Sequence, residues 1–151
     1  MAGVAGALFL ISAAMTGNAK ADGPHFSKAS LKGDYMCNMT GSADDFNTGS
    51  FTDLSFATVE SYDGHGNFLG HGWQVAPPYP ICTVVVGGAV QVNSDGTGLR
   101  SAGYGLCGAN VGDSGTYPQA IVIERNGARY DLVGLGSGFV LSAYCIRRDS
   151  H

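Results

Sequence analysis

The stretch 81–107, ICTVVVGGAVQVNSDGTGLRSAGYGLC, constrains the fold of this chain more than any other. A valine-rich run, 81–92, meets the cluster Asn93-Ser94-Asp95-Gly96-Thr97-Gly98, and a second run, 99–107, leads away. Asp-Gly between two such runs signals a β-hairpin, because a tight turn needs residues that tolerate φ > 0. A two-residue turn on Asp95-Gly96 pairs position 94 with 97. Carried outward, that register sets Cys82 opposite position 109, two residues from Cys107. One bulge or a diagonal pairing absorbs the offset. Cys82 and Cys107 are therefore expected to join across the hairpin.

The other two cysteines are Cys37 and Cys145. All four are far apart in sequence and no histidine is near any of them, so disulfides fit better than a zinc site. With Cys82 and Cys107 paired, Cys37 pairs with Cys145, which joins the first and last expected strands. Disulfides belong to an oxidising compartment. The N-terminus agrees. Residues 4–15 are small and apolar, about the length of a signal-peptide core and short for a bilayer span, and Ala19-Lys20-Ala21 supplies an A-x-A cleavage pattern. The expected signal peptide is 1–21, although no Lys or Arg precedes its apolar run; a retained N-terminal anchor is the alternative. The mature domain is then 22–151, periplasmic or extracellular.

The mature chain reads as short strands with turns between neighbours. The expected strands are 31–40, 51–62, 68–75, 81–92, 99–107, 118–124, 129–134 and 139–147. In the second, Leu54, Phe56 and Thr58 share one side. Asp63-Gly64-His65-Gly66-Asn67 and Asn126-Gly127 are turn signals, and Pro77, Pro78 and Pro80 interrupt any ladder. No mature segment carries a capped helical period. The 24 glycines are spread among turns without the strict spacing of collagen. The fold class is thus all-β, a single antiparallel up-and-down β-barrel of about eight strands stabilised by disulfides, with a β-sandwich as the alternative. Closure of the barrel would set strands one and eight side by side, as a Cys37–Cys145 bridge requires.

Three pieces carry a resemblance: Leu31-Lys32-Gly33-Asp34-Tyr35, then Asp63-Gly64-His65-Gly66-Asn67-Phe68-Leu69-Gly70, then Asp95-Gly96-Thr97-Gly98. In this order they resemble a group of exported bacterial proteins of unknown function, with small calycin-like or allene-oxide-cyclase-like β-barrels. The resemblance implies the barrel and carries no catalytic residues. The four cysteines and the Pro-rich loop depart from its pattern.

A net charge of −4 with no basic stripe argues against nucleic acid or an anionic membrane surface as partner. The loop at Asp63 lacks the glycine and the twelfth-position glutamate of a calcium-binding EF-hand, and reads as a hairpin turn. His65 and His71, with Asp63, would make at most a weak metal site, so no metal and no cofactor are expected. Glu60, Asp63, Glu124 and Asp131 are the candidate acid–base carboxylates, and Asp53 and Asp131, in apolar strands, are the first to consider for burial. Ser114 lacks the G-x-S-x-G frame of a nucleophile elbow. Trp73, Tyr79, Tyr104, Tyr117 and Tyr130 fall near strand ends, where they would line an apolar ligand pocket or fill the core. The expected function is a non-catalytic binding module for a small apolar, uncharged ligand. A structural or assembly protein of the cell surface is the alternative, and a cofactor-free isomerase or cyclase, by barrel analogy alone, the third.

Overall fold

The structure, a computed structural model, describes residues 25–45, 50–77, 80–134, 136 and 139–148. The expected signal peptide lies outside them. Eight strands follow in chain order: β1 (Gly33–Asp45), β2 (Ser50–Tyr62), β3 (Asn67–Val75), β4 (Cys82–Val92), β5 (Thr97–Leu106), β6 (Thr116–Ile123), β7 (Arg129–Gly134) and β8 (Phe139–Arg147). Each is antiparallel to the next, and β8 returns to β1, so the sheet is a closed up-and-down barrel. Closure removes the open sheet edges that invite aggregation. No helix among the described residues is long and apolar enough to cross a membrane.

Both disulfides form as the sequence leads one to expect. Cys37 lies directly opposite Cys145 in the β1–β8 register, and their bond seals the seam. The hairpin turn differs from expectation. Asn93 N–H donates to Thr97 O (2.8 Å), so 93 pairs with 97 and the loop has three residues. Gly96 takes φ +89° at its last position. The Asp95 side chain decides this: its Oδ1 accepts from Thr97 N–H (2.9 Å) and Thr97 Oγ1–H (2.7 Å), which favours a turn ending in a left-handed glycine over a two-residue turn. The register moves by one, Val84 faces Leu106, and the sulfurs of Cys82 and Cys107 meet just beyond the paired segment.

Strand alternation fills the interior. From β1 come Tyr35, Cys37 and Met39, from β2 Phe56 to Tyr62 at every second residue, and from the others Phe68, Val84, Val86, Tyr104, Ile121, Leu132 and Leu141. An eight-stranded barrel has an interior about wide enough for side chains to fill. Residues 25–32 close the mouth where β1 begins. Leu31 was expected to open strand one; it ends a 3₁₀ turn, Lys28–Leu31, because its side chain is drawn into the mouth, where it is fully buried. Phe26 N–H donates to Ser94 O, and the Arg147 guanidinium donates to Ser30 O (2.7 Å) and to the Tyr35 hydroxyl (2.9 Å). At the other end the loop after β5 folds back on the outer wall. Gly105 makes room for it, since a Cβ there would collide with the Asn110 carbonyl.

Candidate functional site

Two places concentrate chemistry, one inside the barrel and one on its wall. Inside, β2 supplies Glu60 and Tyr62, β5 supplies Arg100 and β7 supplies Tyr130, all buried. Arg100 makes a two-pronged ion pair with Glu60, Nη1 to Oε2 at 2.7 Å and Nη2 to Oε1 at 3.2 Å. Its Nη1 also donates to the hydroxyls of Tyr62 (2.7 Å) and Tyr130 (3.0 Å). Both hydroxyls donate to Glu60 Oε2, at 3.1 and 2.9 Å. The guanidinium lies 4.3 Å from the centre of the Phe68 ring. Gly70 faces Glu60 across β2 and β3, where a Cβ would crowd the Glu60 side chain.

Burial pushes the Glu60 carboxyl up, but the Arg100 charge and the hydrogen bonds of Arg100, Tyr130 and Tyr62 outweigh it and hold the group below the usual carboxylate range. Burial, reinforced by the negative charge of Glu60, holds the Tyr62 and Tyr130 hydroxyls well above theirs despite Arg100. This carboxylate is ionised and hydrogen-bonded at both oxygens, and nothing from solvent reaches it. It is built to hold β2, β5 and β7 together across the barrel. Cys37, Cys145 and Glu60 are the one group of three ligating side chains that cluster among the described residues, but the two sulfurs are bonded to each other and offer no thiolate.

The remaining candidates separate. Tyr104 and Tyr130 are core residues; Tyr104 accepts from Gln119 Nε2 at 2.9 Å. Tyr117 is half-buried with its ring 6.1 Å from that of Tyr104. Tyr79 lies outside the described residues. Trp73 faces out and is 59% exposed. The two carboxylates singled out for burial both face outward: Asp53 is exposed, and Asp131 is half-buried and paired with Arg129 at 2.8 Å. Asp63 Oδ1 accepts from the backbone N–H groups of His65, Gly66 and Asn67, and Oδ2 from Asn67 Nδ2. These bonds hold its carboxyl far below the ordinary range and define a hairpin turn.

On the wall, the registers of four strands align two rows of side chains. Ile146, Met36, Val59 and His71 form one row across β8, β1, β2 and β3; Tyr144, Asn38, Ala57 and Trp73 form the next. Asn38 Nδ2 donates to the Tyr144 hydroxyl at 3.2 Å. Ala57 is small and stands between Asn38 and Trp73, so the surface dips there. The result is a groove of about 530 Å³. Met36, Trp73, Tyr144 and Ile146 in its lining are all exposed large apolar residues. Of the four aromatics read from sequence that lie among the described residues, Trp73 alone lines it; Met36, Tyr144 and Ile146 were missed, and strand parity was the signal that places them outward.

No protein-family model matches the chain, and searches of curated proteins and of solved structures return no match.

Proposed function

We propose that this chain is an exported, non-catalytic binding module for a small apolar ligand, and that the ligand sits on the outer wall between Trp73 and Tyr144. The observation that carries the reading is the pair of aligned rows. They gather four exposed apolar side chains around one hollow, with Asn38 and His71 as the polar groups that would orient a guest. The hollow is within the size range of small-molecule sites, roughly 300–1,000 Å³. None of the eight residues in the two rows is Asp, Glu, Lys or Arg, which favours an uncharged guest. Arg147 borders the groove, but its guanidinium is already engaged by Ser30 and Tyr35. The apolar N-terminus and the two disulfides support export to an oxidising compartment. The architecture is in keeping with a calycin-like barrel, and the binding role assigned here uses the wall of that barrel.

A second reading has its own observation. Leu99, Val122 and Val133 are exposed on the wall formed by β5, β6 and β7, which suits an assembly protein. The isomerase or cyclase reading rests on barrel analogy alone, and its one interior carboxylate among the described residues, Glu60, is fully buried in an ion pair with Arg100.

Trp73 is the single tryptophan of the chain, so its emission reports on the groove. Titration with N-phenyl-1-naphthylamine should quench Trp73 saturably and transfer its energy to the dye. Tyr144→Asp and Met36→Asp should each weaken binding at least tenfold. An unchanged Trp73 emission overturns the assignment. Sedimentation showing concentration-dependent assembly, abolished by Val122→Asp, would favour the second reading.

A further inference from the structure

Three buried polar atoms have no hydrogen-bond partner among the described residues: Gln74 Oε1, Arg100 Nε and Gln119 Oε1. Two belong to residues that face each other. Arg100 and Gln119 are directly opposed in the β5–β6 register, both point inward, and both are essentially inaccessible. One orphan is a donor and the other an acceptor, yet they do not bond to each other.

Each side chain is held in place by its other end. The terminal nitrogens of Arg100 are committed to Glu60, Tyr62 and Tyr130, so the guanidinium cannot turn to bring Nε onto the amide without breaking the ion pair. The Gln119 amide is tied through Nε2 to the Tyr104 hydroxyl. Buried polar groups are rarely left unpaired, because each orphan costs roughly 1–3 kcal/mol.

We infer that the barrel binds a water molecule between Arg100 and Gln119, accepting from Nε–H and donating to Oε1. The chemistry selects the guest. It must accept one hydrogen bond and donate another. It must also be neutral: the negative charge of Glu60 opposes an anion and the positive charge of Arg100 a cation. The next inward residue on β5 is the small, fully buried Ala102. A water with two or more polar partners is an ordinary part of a protein interior, at about one per 27 residues. This water is independent of the groove on the outer wall.

Water-selective rotating-frame NOE spectroscopy on the uniformly ¹⁵N-labelled, disulfide-intact protein tests it. The Arg100 Hε signal should show a dipolar cross-peak to water, of opposite sign to chemical exchange. Its absence in the wild type overturns the inference. Thermal unfolding gives a second reading that does not need the spectrum. In a Tyr104→Phe background, which already lacks the Gln119–Tyr104 bond, Gln119→Met should lower the melting temperature further, because the water loses its acceptor and Arg100 Nε its partner. If the site is dry, the same change removes an orphaned acceptor and the amide donor that Tyr104→Phe left unpaired, and the melting temperature should hold or rise.

Discussion

Replacing Arg100 by Met tests whether the interior ion pair organises the fold. The substitution removes both prongs to Glu60, the donors to Tyr62 and Tyr130, and the contact with Phe68, while roughly conserving the apolar stem. It leaves a carboxylate buried with only the hydroxyls of Thr58, Tyr62 and Tyr130 for company. Breaking one side of such a pair costs about 3–5 kcal/mol, which for a chain of this size lowers the melting temperature by roughly 6–20 °C. The penalty depends on pH with a definite sign. In the wild type Glu60 titrates below its unfolded value, so its contribution is present above about pH 4.3 and is lost as pH falls through the folded value. Without Arg100, burial dominates and the folded value rises above the unfolded one. The variant is therefore weakened most at neutral pH and least in acid. Urea unfolding followed by circular dichroism, with disulfides intact, should show a gap between the two proteins that is widest at about pH 8 and narrows by about pH 4. The double variant Glu60→Leu/Arg100→Met should be more stable than Arg100→Met alone, since no charge is left stranded. A single variant within about 1 kcal/mol of wild type, with no pH dependence, would mean that the ion pair does not organise the fold.

Other predictions follow from the seam, the turn and the tyrosines. Cys37→Ser/Cys145→Ser opens a cross-link 108 residues apart in sequence and should cost about 4.8 kcal/mol by chain entropy, against about 3.5 kcal/mol for Cys82→Ser/Cys107→Ser at a separation of 25; equal losses in urea unfolding would contradict the nested-loop account. Gly96→Ala forces a side chain into φ +89° and against the Phe26 ring, and should cost about 1–3 kcal/mol by the same assay, with the barrel retained. Burial holds the hydroxyls of Tyr35, Tyr62, Tyr104 and Tyr130 above the usual phenol range, so an alkaline absorbance titration should leave at least four of the seven tyrosines un-ionised until the fold is lost.

The barrel was legible because its signals are local. Alternation, turn residues and cysteine positions each specify strands and neighbours, and the Cys37–Cys145 pairing follows from the topology they imply. The hairpin turn was misjudged by one residue because a side chain, Asp95, chose the turn type. The interior pair was half legible. The side shared by Leu54, Phe56 and Thr58 continues to Glu60 and Tyr62, which places the carboxylate inside. Arg100, forty residues on and across the barrel, is not implied by any spacing, because only closure brings β2 and β5 face to face. Asp53 and Asp131 show the converse: apolar neighbours in sequence do not bury a residue whose parity points outward. The groove was the least legible, since its two rows exist only when four registers agree, and a slip of one residue would send each row to the other face.

The central claim is that side chains fill this barrel and that its ligand surface is the wall around Trp73. Backbone amide chemical shifts of the ¹⁵N-labelled protein, recorded during titration with N-phenyl-1-naphthylamine, test it most directly. Saturable shifts centred on residues 36, 38, 57, 59, 71, 73, 144 and 146 are expected, with Arg100 and Gln119 unmoved. Shifts centred on Glu60, Arg100 and Tyr130, with the outer rows unmoved, would contradict it.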